Sequence, residues 1–552
     1  MKNIKYLFSA AAVAFSLTSC SDYLDVNENP NSVPIESVTP ELILPGAITQ
    51  MYRSQAGSQM QLGSFMMNNW AGNTYLYGGP FAAEFTLGSV NSQFYNEIWD
   101  STYQNVYNFK IIENYPNADR LQDKYVAIAK ILKAFYMQPI VDLYGDVPYS
   151  EAFQGQANAT PKYDNDEDVY KALIADIDAA VLLINNGEGT SPGAADIIFA
   201  GDMNKWKSFA NTIKLKFLVR MSKATGAMGT YRDQQLAALA ASNPTFLTAN
   251  TGSGKVADDV YETPGYTMAN NDSMNPLILN YFFNSAGTAV ANSQLYTVSE
   301  HTANVLEGNA ILNAPEYAKF NGLVDPRRTR YFTSIVYTFN NQTFNRLKGI
   351  RQGATAGQPG ALIDPNSPSS RTVSKFSNLM IYGNVTTGGT VASAGNARGG
   401  TLMTVAESLF LQAEAALRWP SLFTFSAQAK FNSGITGAFN YLGAATLAPA
   451  YITSTSTRAG LGWTGTDAQK LEAIMTQKWF ATMNVNPLES FIEYNRTGYP
   501  YTPLAVTAAV ANKPYRLQYP QSEFSANSAN TPNVPTGSLF TKNQYTPFWN
   551  QN

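Results

Sequence analysis

A chain of 552 residues is long for one ordinary globular core, although helical-repeat folds run on as one body. Apolar residues make up 45% and charged residues only 14%, against roughly 25% in soluble domains, so neutral Asn, Gln, Ser and Thr must cover much of the surface. A net charge of −3 without a basic patch argues against nucleic acid as a partner, and one Cys with one His excludes an internal disulfide and a Cys/His zinc site.

The chain opens with Lys2 and Lys5, then a mainly apolar stretch from 6 to 17, too short for an ordinary membrane span. It ends Leu17-Thr18-Ser19-Cys20, small residues before a cut and the chain's one thiol directly after it. Residues 1–19 read as a signal peptide and Cys20 as the lipidated first residue, the other reading being a plain secretory signal with an incidental Cys. Ser21 stands where Asp would retain a lipoprotein in the inner membrane, so the expected location is the outer membrane. One acyl chain holds only marginally, at ~0.8 kcal/mol per buried methylene, and two or three anchor firmly. The polar, turn-forming residues to 39 form a leash.

A first helix is expected over 40–62, with Leu42, Leu44, Ile48 and Met51 apolar. From 63 to 91 Gly, Asn and aromatics displace helical periodicity, which reads as a long loop and hence as a functional candidate. Helices follow at 92–114 and 119–138, the second with Asp119 as cap and Leu121, Tyr125, Ile128, Leu132 and Phe135 at spacings of four and three. Asn165 or Asp168 caps a helix carrying Val169, Leu173, Ile177 and Val181, and Asp202 caps one carrying Trp206, Ala210, Ile213, Phe217 and Met221. Short connections suit helix-turn-helix pairs, with an irregular α-bundle as competitor. Residues 225–400 read as loop-rich, laid over the scaffold, with short helices at 233–242, 275–284 and 297–307 and a strand pair within 331–348. Helices resume at 402–418, 424–442 and 467–484, the last capped by Asp467, and the stretch after Pro487 reads as extended coil. The body from 40 to 552 is expected to be one domain: helical parts 40–224 and 401–552 around a variable middle.

Several stretches in this order resemble one family, the SusD/RagB-like nutrient-binding lipoproteins. They include Cys20 to Asp25, Val141 to Glu151, Gly201-Asp202 with Trp206, Asn211 and Leu215, Asn275-Pro276, and Asp325-Pro326-Arg327. Glu407 with Phe410-Leu411 and Ala413-Glu414-Ala415, Ile474 with Gln477-Lys478-Trp479, Asn495 to Pro500, and Arg516 to Glu523 with Asn527 complete the set. Gln477-Lys478 replaces the family's acidic-basic pair conservatively. The resemblance implies a mainly α fold of tetratricopeptide-like helix pairs, a loop-rich variable ligand-binding face and minor β structure. It also implies a SusC-like TonB-dependent transporter as partner, over which the lipoprotein acts as a lid capturing glycans or peptides at the cell surface.

Most signature residues read as structural: Asp142, Tyr144, Gly145, Asp146 and Pro148 as a turn, Arg327, Arg516 and Glu523 as locks. The leading site candidates are Asn68, Asn69, Trp70, Asn73, Tyr75, Tyr77 and Phe81, because aromatic planes stack on sugar CH faces and amides pair with hydroxyls. In glycan-binding relatives this stretch supplies an aromatic platform, which makes Trp70 the leading residue; the opposing reading is that Trp70 and Tyr77 pack the loop onto the scaffold. Asn271, Asp272, Tyr281 and Phe282 are a second group. His301, in Ser299-Glu300-His301-Thr302, reads as a capping or surface residue. No cofactor is expected; a structural calcium stays open, with no Asp-x-Asp-x-Asp-Gly run to locate it. Glu407 and Glu414, seven apart on one helix, keep a surface glycosidase as the competing class, although burial against Arg groups suits them better.

Overall fold

The computed structural model describes residues 38–248, 259–309, 315–339, 341–354, 372–382 and 391–551. The signal stretch, Cys20 and nearly all of the leash lie outside the described residues. Helix α1 (Pro40–Ser54) starts on a proline, whose missing N–H is one the first helical turn leaves unpaired anyway. Leu44, Ile48 and Met51 are buried, but Leu42 points the other way and is 69% exposed. A π-helical turn, Gln55–Gln59, departs from helical geometry at Gly57 and leads into α2 (Met60–Met66). The supposed loop at 63 therefore begins inside a helix, and Trp70–Gly72 then forms strand β1.

Five further helices form a ladder in which each packs on the next: α3 (Glu97–Glu113), α4 (Asp123–Tyr144), α5 (Asp166–Asn186), α6 (Met203–Arg220) and α7 (Gly226–Ala241). Asn165 caps α5 through the Glu167 N–H, and Asp202 caps α6 through Asn204 and Lys205. Helix α4 differs from expectation at both ends. Asp119 accepts the Leu121 N–H in the preceding turn rather than capping the helix, and Leu121 is exposed. The helix also runs through Pro139 to Tyr144, so Asp142 and Tyr144 lie in its last turn and not in a loop. A proline inside a helix costs a hydrogen bond; here almost the whole of α4 is buried between neighbours, and that packing holds it.

The middle region is tied to both ends of the chain, not merely laid over them. Strands β2 (Val260–Glu262) and β3 (Tyr296–Val298) precede α8 (Glu300–Glu307), the β4–β5 hairpin (Ile335–Phe339 and Gln342–Arg346) and β6 (Gly400–Met403). β3 pairs antiparallel with β1, Trp70 opposite Val298, and β2 pairs antiparallel with β6. Helices α9 (Val405–Arg418), α10 (Ala427–Tyr441) and α11 (Asp467–Thr482) follow. Thr466, not Asp467, caps α11, in a capping box with Gln469.

The stretch after Pro487 opens with a helix, α12 (Pro487–Thr497), and is mostly coil only beyond it. It carries one arm of a buried ionic cluster. Arg220 meets Glu489 at 2.8 Å, Glu493 at 2.7 Å and Asp142 at 3.2 Å. Lys216 reaches Glu407 at 3.1 Å and Glu489 at 2.8 Å, and Arg496 reaches Glu414 at 2.7 Å. α2 crosses α12 so closely that a Cβ on Gly63 would stand 2.1 Å from the Leu488 nitrogen. The fold is mainly α, and its largest core cluster runs through N-terminal, middle and C-terminal segments.

Candidate ligand-binding cavity

Four segments meet at one place. Asn68 sits between α2 and β1 with φ of 56°, a left-handed conformation that Asn tolerates better than most residues. Its side-chain amide donates to the Pro503 carbonyl at 2.6 Å, and its own carbonyl accepts the hydroxyls of Ser299 and, at 2.8 Å, Thr302. Ser299 also caps α8 through the Thr302 N–H at 3.0 Å. Residues 349–352 run alongside: the Glu300 N–H donates to the Ile350 carbonyl at 2.9 Å, and a Cβ on Gly349 would lie 2.3 Å from the Ser299 oxygen. Gln352 then fastens this segment to α2 and β1 through the Phe65 and Trp70 carbonyls, at 2.9 and 2.7 Å. The coil after α12 closes the ring, with the Val506 N–H on the Gln352 carbonyl at 3.0 Å.

Between these segments lies a cavity of about 260 Å³. Asn68, Glu300, His301, Tyr317, Arg351, Gln352 and Tyr501 line it, with an apolar wall of Pro503, Leu504 and Val506. Tyr317 and Tyr501 meet edge to face with centroids 6.0 Å apart, a favourable aromatic geometry. Tyr501 is 41% exposed and so offers a ring to a ligand. Burial pushes the His301 imidazole down to about 3, Lys513 and Lys319 acting in the same direction, so the ring is neutral at pH 7. Its Nδ1 lies 2.6 Å from the Tyr317 hydroxyl. Burial also lowers Lys513 to about 7; its Nζ donates to the Thr502 carbonyl at 3.1 Å, fixing the rim beside Tyr501. Arg351 Nε donates to Glu300 at 2.6 Å; burial raises the Glu300 carboxyl and Arg351 opposes that shift. The cavity thus combines an aromatic face, an ion pair and neutral donors and acceptors, the equipment for a polar ligand with apolar faces.

The candidates named from sequence are not gathered here. Asn68 lines the cavity. Trp70 is corrected to a core residue: it is 1% exposed, Tyr281, Tyr296 and Phe376 lie within about 5 Å of its ring, and its Nε1 donates to Asn484 at 2.6 Å. No face of it is open for a sugar in this conformation. Asn69 accepts from Trp479 Nε1 at 2.7 Å, and Asn73 donates to the Gln294 carbonyl at 3.1 Å, both buried. Tyr75 is half-buried on Ile350 and Val373, and Phe81 packs on Phe65 and Tyr296. Tyr77 is 40% exposed but lies outside the cavity. Tyr281 and Phe282 are core residues, whereas Asn271 and Asp272 are exposed away from the cavity, Asn271 accepting the Ser285 N–H. His301 is corrected from a surface or capping role to a buried cavity residue.

The lining residues missed from sequence include Glu300, Tyr317, Arg351, Gln352 and Tyr501, which carry no local motif for ligand binding. Only Tyr501, directly after the Asn495 to Pro500 signature, had a signal that could have marked it. Among the described residues, no three His, Cys, Asp or Glu side chains gather so as to hold a metal ion, and no helix is long and apolar enough to cross a membrane.

Comparison with known proteins bears on the whole of this architecture. Residues 30–520 match the model of a SusD-like family described as starch-binding and associating with the outer membrane. None of the curated proteins matches the chain. A chitin-binding SusD homolog from Flavobacterium johnsoniae is similar with a TM-score of 0.65 and 22% identity, over 92% of this chain and 98% of that one. A SusD homolog from Bacteroides thetaiotaomicron gives 0.64 at 20% identity, over 92% and 99%. A Bacteroidetes SusD-like protein gives 0.68 at 18% identity, over 93% and 100%. At such identities the structures establish a shared fold, and with the family model matched along most of the sequence the chain belongs to the SusD-like family.

Proposed function

We propose that this protein is a surface-exposed outer-membrane lipoprotein that binds oligosaccharides in the cavity beside Tyr501 and delivers them to a SusC-like TonB-dependent transporter. The observation that carries the binding role is the cavity itself: an available Tyr501 ring next to His301, Glu300 and Arg351 matches a sugar's apolar face and hydroxyl rim. The family description as starch-binding, and the chitin-binding homologue of the same fold, support a glycan over a peptide. Cys20 after its signal stretch supports the lipid tether.

Binding without turnover is favoured because the carboxylates offered for hydrolysis are engaged elsewhere. Glu407 holds Lys216 and Glu414 holds Arg496, both are buried, and neither lines the cavity. Isothermal titration of the purified chain with neutral oligosaccharides and with peptides tests the reading. Saturable glycan binding that falls in Tyr501→Ala is expected. Binding only to peptides would move the cargo to the family's other class, and cleavage of a titrated glycan would overturn the binding role.

A further inference from the structure

The ion pair in the cavity is only half used by the protein. Arg351 donates through Nε to Oε2 of Glu300 at 2.6 Å. Among the described residues, neither terminal amino group of Arg351 finds a protein acceptor and Oε1 of Glu300 finds no donor. The Arg351 side chain is 33% exposed, whereas that of Glu300 is 7% exposed. Both are held from the backbone, Glu300 in the first turn of α8 and Arg351 directly after Ile350, whose carbonyl accepts the Glu300 N–H. A donor fork and an acceptor therefore stand side by side at fixed positions on the wall of a cavity whose other lining is uncharged: aromatic, apolar and neutral polar side chains.

We infer that Glu300 and Arg351 form a clamp for two adjacent hydroxyls of an uncharged sugar unit, and that this pair selects neutral over acidic glycans. The inference rests on the glycan reading above. A hydroxyl both donates and accepts. One hydroxyl of a vicinal pair can accept from the Arg351 terminal amino groups while its neighbour donates to Glu300 Oε1, so both sides of the ion pair gain a partner. A trans peptide unit points its N–H and C=O in opposite directions and serves one side of the clamp at a time. A carboxylate sugar meets Arg351 favourably but brings its charge against Glu300, and an amino sugar cation meets the reverse conflict. With the two protein charges already balanced, a neutral ligand is the one that disturbs the pair least.

The test uses the full chain and three variants, Glu300→Gln, Arg351→Lys and Arg351→Met. Each is checked by its thermal melt and titrated with neutral and uronate-containing oligosaccharides of equal length. The wild type is expected to prefer the neutral set. Arg351→Met should bind that set about tenfold or more weakly, because a charged hydrogen-bond donor is lost. Arg351→Lys keeps the charge but not the fork and should show a loss smaller than that of Arg351→Met. Glu300→Gln frees the guanidinium and should shift the neutral-to-uronate preference toward uronates by about tenfold. Neutral-glycan affinity unchanged within twofold in all three folded variants, or a wild type that prefers uronates, overturns the clamp and leaves the glycan reading standing. A wild type that binds no glycan overturns that reading, and the clamp falls with it.

Discussion

Asn68 and Pro503 are 435 positions apart in sequence, and the Asn68 side-chain amide donates to the Pro503 carbonyl at 2.6 Å. That bond ties the segment between α2 and β1 to the coil that follows α12, and the cavity lies between them. Two local demands meet in one residue, a polar side chain and a left-handed backbone.

Substitutions at Asn68 should separate the two. Asn68→Gly keeps the backbone conformation and loses the bond, a cost of about 1 kcal/mol. Asn68→Ala loses the bond and adds left-handed strain of ~1–2 kcal/mol. Urea denaturation is expected to rank wild type above Gly above Ala. Equal stability of the two variants would mean the backbone relaxes there. Both variants should weaken ligand binding by loosening the Tyr501 rim.

Trp70 and Tyr501 should part in opposite directions. Trp70→Ala removes a core ring and leaves Asn484 without its donor, so a loss of about 3–5 kcal/mol in stability is expected. Tyr501→Ala removes a partly exposed ring, so melting should barely move while glycan affinity falls by about fivefold or more. A stable Trp70→Ala protein with lost binding would restore the platform role first expected of that residue.

That contrast shows what the sequence made legible. Helix periodicity placed α3, α5, α6 and α9 to α11 because each has a buried face and all but α3 have a local side-chain cap, such as Asn165 and Asp202. It missed α12 because Glu489, Glu493 and Arg496 look solvent-facing until Arg220 and Glu414 arrive from other helices. The candidate site was harder still. A Trp in an Asn- and Gly-rich stretch has the composition of a glycan platform, but whether its face is covered is decided by Tyr281, Tyr296 and Phe376, more than 200 residues away. Glu300 and Arg351 belong to one site because the Ile350 segment pairs with Val298 to Glu300, the Ile350 N–H donating to the Val298 carbonyl and the Ile350 carbonyl accepting the Glu300 N–H.

The cluster around Arg220 should behave as one buried unit. Arg220→Met leaves Glu489, Glu493 and Asp142 short of a cation away from water, and a loss of about 3–5 kcal/mol is expected. Lys171→Met, breaking the exposed pair with Asp168, should leave the denaturation curve unchanged. Similar curves for the two variants would show that water reaches the cluster.

Acid should expose His301. Its folded pKa is about 3 against an ordinary 6.5, so between those values the unfolded chain binds the proton and the folded chain does not. Stability from this group is therefore fully present above pH 6.5 and is lost as pH falls toward 3, a change on the order of a few kcal/mol. The causes are burial first, then Lys513 and Lys319, which repel a second cation. His301→Gln removes the titration while keeping a polar partner for the Tyr317 hydroxyl, so its stability should fall less steeply across that window. Urea midpoints measured from pH 7 to pH 3.5 on both proteins check this. Parallel curves would mean that the imidazole is already solvated and titrates normally. In that event His301 would carry a charge in mildly acid medium, and the cavity would present a third ionised group to its ligand.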